Sequence, residues 1–189
     1  IFIVAVIGTG SFLFHTYATR WAVLADVIPI TIFMLAYLVY ACRRLLSWGW
    51  LATAVSLGIF IVALTRFEYS IRCDGGPCLN GSLGYVPALV VLLLFGAMLQ
   101  AGTHPAGKHI IWAGLIFAVS LLFRTVDREI CELTDLFGTG PVGTHFTWHT
   151  LNAVLLYLLL RAAIHHGDFS DRVRRGVVAA GPSRARGVL

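Results

Sequence analysis

Long apolar runs, broken at near-regular intervals by short polar segments, fill the chain from its first residue to about Ile164. In a bilayer such runs fold as helices, because every backbone N–H and C=O must be paired inside its own segment. About 20 apolar residues cross the hydrocarbon. The pattern predicts six spans: Ile1–Tyr17, Trp21–Ala41, Trp48–Thr65, Tyr85–Ala101, His109–Arg124 and Val142–Ile164. The expected fold class is therefore all-α, a polytopic membrane helix bundle. Residues 1–167 form one helical domain, and residues 168–189 a basic tail expected to be disordered. No internal repeat is visible. Residue 1 is an isoleucine inside an apolar run, so the chain is expected to be truncated or trimmed at its N-terminus. It does not read as a signal peptide ahead of a soluble domain, because apolar segments continue to Leu160.

Composition agrees with the pattern. Of 189 residues, 58% are hydrophobic and only 12% charged, against about 25% charged in a soluble domain. The net charge of +5 is concentrated late, at Arg172, Arg174, Arg175, Arg184 and Arg186. That placement suits an anionic membrane surface. No basic stripe interleaves with aromatics, so nucleic acid is not an expected partner. Arg43 and Arg44, then His104, Lys108 and His109, then the Arg-rich tail fall on one side of the bundle, which the positive-inside rule makes cytoplasmic. The opposite side carries Asp127, Glu129, Glu132 and Asp135 against Arg128, although Arg66 and Arg72 weaken the bias. Trp21, Trp48, Trp50, Tyr85 and Trp112 read as interfacial belt residues.

Polar residues inside spans are expensive and are by default functional candidates. His15 closes the first span, Asp26 lies just inside the second, and His145 and His149 open the last. Alternation of direction puts all four at one depth, near the outer face in the expected orientation. His145 and His149 are four residues apart, hence on one helix face. Neutral imidazoles suit zinc, and a catalytic zinc commonly has three protein ligands and one open position. The plain alternative is two unrelated polar residues near a helix start. No Glu follows His145, so this is not the zincin helix. Ser11 and His15 repeat the spacing; Ser11 could equally bond its own i−4 carbonyl. Gly8 and Gly10 read as close helix packing. Asp26 is either a functional carboxylate or a helix cap, with Pro29 suiting a first turn. The other four histidines, His104, His109, His165 and His166, read as solvated or interfacial. Cys42 reads as free. Cys73, Cys78 and Cys131 lie on the side where disulfides persist, with Cys73 and Cys78 able to close a Gly-Gly-Pro turn.

Three strings together resemble a family. They are Gly10-Ser11-x3-His15, Asp26-Val27-x-Pro29-Ile30 and His145-x2-Trp148-His149. In order and in spacing they resemble the alkaline ceramidases, within the wider superfamily of seven-helix membrane hydrolases that includes adiponectin-type receptors and the Per1 lipid-remodelling proteins. Asp127-x3-Cys131 is a weaker match, and the short loops suggest a prokaryotic branch. The resemblance implies seven helices, of which six are seen here. The acidic calcium-binding motif of the family's first-helix region has no counterpart. By position, the resemblance implies zinc on His15, His145 and His149, with Ser11 and Asp26 bordering the activated water. It implies a zinc-dependent hydrolase that cleaves the amide of ceramide-like lipids. Asp26 would pass the proton to the leaving amine, and Ser11 would donate to the oxyanion. An ester hydrolase acting on phospholipid or lipid-linked substrates is an alternative. So is a receptor-like protein with a structural zinc, which would need a fourth ligand. An ion pathway expects polar residues spread through the membrane depth, whereas here they gather at one edge.

Overall fold

The computed structural model describes residues 1–70, 72–73, 76–131, 143–169 and 176. Among the described residues six α-helices make an all-α bundle: α1 (Phe2–Tyr17), α2 (Arg20–Tyr40), α3 (Trp50–Ser70), α4 (Val86–Ala101), α5 (Gly107–Ile130) and α6 (His145–His166). A π-turn, Ala41–Leu45, ends α2. A two-residue hairpin pairs Arg72 with Pro77, and a 3-10 segment, Cys78–Tyr85, leads into α4. Five helical segments are long and apolar enough to cross a membrane, so the chain is a multi-pass membrane protein. The sixth, α1, has 16 residues. At 1.5 Å per residue it spans about 24 Å, roughly one turn short of the hydrocarbon thickness.

Two helix groups carry most of the packing: α1 against α2, and α4 against α5 against α6. Small residues allow the close approach of α5 to α4, with Gly96 against Ile111 and Gly114 against Leu93. The α1–α2 contact has a different device. Pro29 lies well inside α2 rather than in its first turn, because the helix begins at Arg20. A proline there cannot donate to the carbonyl four residues back, which is that of Ala25. Gly10 of α1 packs directly on this carbonyl, and a Cβ at Gly10 would run into the oxygen. Close small-residue packing of this kind re-covers backbone that proline has freed within a membrane. Gly10 thus fits the packing expectation. Gly8 does not: nothing lies within 4 Å of where its Cβ would be, and the residue faces a cavity.

The seam between the two groups is closed at one end by hydroxyls. Tyr37 donates to the Leu159 carbonyl at 3.0 Å and Tyr40 to that of Ala163 at 2.9 Å. Arg44 meets Asp168 at 3.3 Å on the surface. Elsewhere the seam holds a cavity of about 740 Å³. Apolar side chains form most of its wall, among them Phe33, Phe95, Phe117 and Leu155.

Two helices run beyond the apolar pattern. α3 continues to Ser70 and α5 to Ile130, past the expected ends at Thr65 and Arg124. Hydrophobicity sets where a helix leaves hydrocarbon, not where its hydrogen bonding stops. Asp127 therefore sits on a helix and not in a loop. Cys42 is buried and free, as expected. The side chains of Cys73 and Cys78, and so any pairing with Cys131, lie outside the described residues. So does most of the expected disordered tail, of which Asp168 and Phe169 pack on the bundle.

Candidate metal centre

The three histidines meet where α1 and α6 face each other. One ring nitrogen from each of His15, His145 and His149 lies within 4.8 Å of the others. Nε2 of His15 and Nε2 of His149 are 2.9 Å apart. Ring centroids are 4.7 Å apart for His15–His149, 4.8 Å for His145–His149 and 5.3 Å for His15–His145. The i, i+4 spacing on α6 sets the second of these, and the last turn of α1 brings the third ring across the seam.

Oxygens of Ser11 and Asp127 lie near two of the rings. Ser11 Oγ is 3.4 Å from Nδ1 of His149. Nδ1 of His145 is 4.0 Å from Asp127 Oδ2. The other oxygen of Asp127 accepts from the Thr144 backbone N–H at 2.6 Å, and the Thr144 hydroxyl donates to the Phe123 carbonyl at 2.8 Å. Asp127 thereby ties the end of α5 to the start of α6. The connection needs Gly143, whose φ is +65° and whose Cβ, were there one, would sit 2.6 Å from that same oxygen. An oxygen hydrogen-bonded to the free ring nitrogen of a metal-binding histidine fixes ring orientation and raises basicity, and Ser11 is within that reach of His149.

Asp26 projects from α2 toward the same place. It is not the cap of α2, since Thr19 holds that position and Asp26 is the seventh helical residue. Oδ1 of Asp26 is buried and has no hydrogen-bond partner. Ser11, His15, Arg124 and His145 all lie within interaction range of its carboxylate. An orphaned carboxylate oxygen beside three converging imidazoles is costly unless something polar completes the site.

The donor set fits zinc. Four-coordinate zinc with bonds of about 2.0–2.1 Å holds its nitrogens about 3.3 Å apart, so the ring separations need only small adjustment. Among the described residues Asp26 is not part of the group whose ligand atoms lie within 4.8 Å of one another, and three ligands with one open position is the pattern of a catalytic zinc.

Compared with protein-family models, with curated proteins and with solved structures, the chain matches none.

All five expected site residues, Ser11, His15, Asp26, His145 and His149, line the polar end of the cavity. Several others there carried a weaker sequence signal or none. Asn152 lies one turn beyond His149 on α6 and receives a hydrogen bond from Ser120 at 3.2 Å. Ser120 is fully buried, and the same hydroxyl proton is shared with the Trp148 carbonyl at 3.1 Å. Arg124 read as a span boundary but lines the cavity. Tyr85 read as a belt residue, yet it stands in the cavity wall with its ring 5.2 Å from that of Trp148. Trp48 likewise packs inward, 5.6 Å from Phe95. Trp21, Trp50 and Trp112 are more than half exposed, as lipid-facing residues should be. At the far end of the bundle His104 is buried and not solvated, with its ring 4.8 Å from Phe169.

Proposed function

We propose that this membrane protein is a zinc-dependent intramembrane hydrolase cleaving the amide bond of ceramide-like lipids to a sphingoid base and a fatty acid. One observation carries the reading. A three-histidine group and an orphaned carboxylate oxygen stand at the polar end of an apolar cavity of about 740 Å³. Pockets for small ligands run from about 300 to 1,000 Å³ and are mostly apolar with a few convergent polar groups. The three-string resemblance to the alkaline ceramidases points to the same chemistry and is the ground for reading the bond as an amide; the site residues themselves serve an ester equally well.

His15, His145 and His149 would hold the zinc. When bound, zinc supplies a Lewis acid for the carbonyl and makes water acidic enough to attack near neutral pH. Asp26 offers a carboxylate oxygen with no competing partner, suited to taking a proton from water and returning it to the leaving amine. Ser11 stands between His149 and Asp26, where its hydroxyl steadies the imidazole and can donate to the oxyanion. Asp127 fixes the helix start from which His145 projects. The apolar wall accepts an acyl chain and keeps water from the rest of the seam. A closed structural zinc would need a fourth ligand, and the group has three.

The test is elemental analysis of detergent-purified protein, with a panel of ceramides and phospholipids assayed in parallel. One zinc per chain and turnover of ceramides is the expected result. Turnover of phospholipid alone would replace the amide assignment with the ester one. Absence of zinc from well-folded protein would overturn the reading.

A further inference from the structure

Arg124 is a full charge in the last third of a membrane-crossing helix, a position with a high cost in hydrocarbon. It lines the same cavity as Asp26, His145 and His149. Its guanidinium lies 5.3 Å over the ring of Tyr85 and 5.1 Å over that of Trp148. Its backbone carbonyl is held by the Asn80 side chain at 2.9 Å. Yet Nε is buried without a hydrogen-bond partner, and among the described residues no carboxylate is within 4.0 Å of the guanidinium. The fold thus holds this cation against two aromatic rings that touch each other and leaves its buried Nε–H unspent.

Cation–π contact explains how the group is held, but it uses none of the five N–H donors. A guanidinium is the side chain best matched to a two-oxygen anion, through paired charge-assisted hydrogen bonds. The apolar wall beside it has room for a hydrocarbon chain. We infer that Arg124 is the anion-binding residue of the cavity. It receives the carboxylate of a single-chain lipid whose tail lies along the apolar wall. That this acid is also the product of hydrolysis rests on the function proposed above; the binding does not.

The experiment titrates the full chain, in neutral detergent, with oleic acid, oleyl alcohol and oleyl phosphate. Emission of the tryptophans, Trp148 among them, is the readout. Zinc-loaded and chelator-treated protein are compared. Oleic acid is expected to bind about tenfold or more tighter than the alcohol, the usual range for a hydrogen bond to a charged group. The preference should persist without metal. Arg124→Gln should bring the acid down to the level of the alcohol and leave the alcohol unchanged, whereas Arg124→Lys should keep part of the preference. Equal binding of acid and alcohol by the wild type overturns the inference, and this arm needs no variant to fold. A preference present only with zinc, or surviving in Arg124→Gln, also overturns it. Tighter binding of the phosphate than of the acid overturns the carboxylate assignment. If ceramides are not hydrolysed but the metal-free preference holds, the function fails and the binding site stands.

Discussion

The seam between the α1–α2 pair and the α4–α5–α6 group is polar at both ends, and the ends are built in opposite ways. At one end every crossing contact is complete within the chain. Tyr37 and Tyr40 donate to carbonyls of α6, and Arg44 meets Asp168. At the other end three imidazoles crowd within 4.8 Å and a carboxylate oxygen is buried with no partner. Both ends cost desolvation, but across the seam itself only the first recovers it through hydrogen bonds between the two helix groups. On the function proposed above, that deficit beside the cavity is where the metal and the substrate would sit. The polarity of a buried cluster is therefore less informative than whether the cluster closes on itself.

The sharpest break of that contrast removes a histidine. His149→Ala takes away one candidate ligand and the ring that Ser11 touches. Zinc and hydrolysis should both vanish, while helix content by circular dichroism stays. Full zinc occupancy in this variant would end the ligand assignment. Asp26→Asn comes next. It is expected to keep the metal and to lose about 10²–10⁴-fold in turnover, the usual range for a general acid–base group. Loss of zinc together with rate would instead make Asp26 a fourth ligand and favour a closed, structural site.

The third change acts through the backbone. Gly10→Ala drives a methyl into the Ala25 carbonyl, one residue before Asp26. Overpacking of this kind costs about 1–3 kcal/mol. Separation of α1 from α2 would also carry Ser11 and His15 away from Asp26. Thermal unfolding in detergent should show the loss of stability, and turnover should fall with zinc largely retained. Gly8→Ala is the paired control, since open space surrounds that position. The closed end provides the smaller effect. Tyr40→Phe deletes one hydroxyl-to-carbonyl bond and should lower stability by about 0.5–1.5 kcal/mol. Zinc content and turnover per zinc should stay at wild-type levels. A collapse of zinc binding in Tyr40→Phe would show that the two ends are coupled.

The residues of this contrast differ in how far sequence discloses them. The convergence of His15, Asp26, His145 and His149 was legible, because it depends only on alternating helix direction and on the four-residue spacing along α6. The contacts of Gly10 were half legible: the small residue was visible, but Pro29 was read as suiting a first turn, whereas it lies nine residues after the start of α2 at Arg20 and so frees a carbonyl inside the helix. Arg124 and Asp127 were misplaced for a shared reason. Apolarity stops near Arg124, whereas α5 continues to Ile130 because Asp127 reaches the first residues of α6. Tyr37 and Tyr40 looked like any aromatic residue on an apolar helix. Their hydroxyl partners are main-chain atoms of α6, more than a hundred residues away in the chain.

His104, in the short connection between α4 and α5, gives the last and mildest test of the closed end. Its Nδ1 accepts the Ala106 backbone N–H at 3.1 Å, which requires the neutral ring. Nε2 is buried with no hydrogen-bond partner, and Phe169 covers the ring. Burial, and secondarily the nearby His166, hold its pKa down from 6.5 to about 4. Between those values the unfolded chain binds a proton that the folded chain refuses, so stability must fall as pH drops through that window. Above pH 6.5 both states are neutral at this ring, and the contribution to the slope disappears. Acid also strips metal from histidine sites, because their ligands must stay deprotonated. The measurement therefore uses the His145→Ala/His149→Ala background, in which that second source of pH dependence is gone. Unfolding midpoints should decline from pH 6.5 toward 4, and the decline should flatten when His104→Phe is added. An unchanged slope would mean that the ring is more accessible than its packing under Phe169 implies, and that this end of the bundle is less closed than its hydrogen bonds indicate.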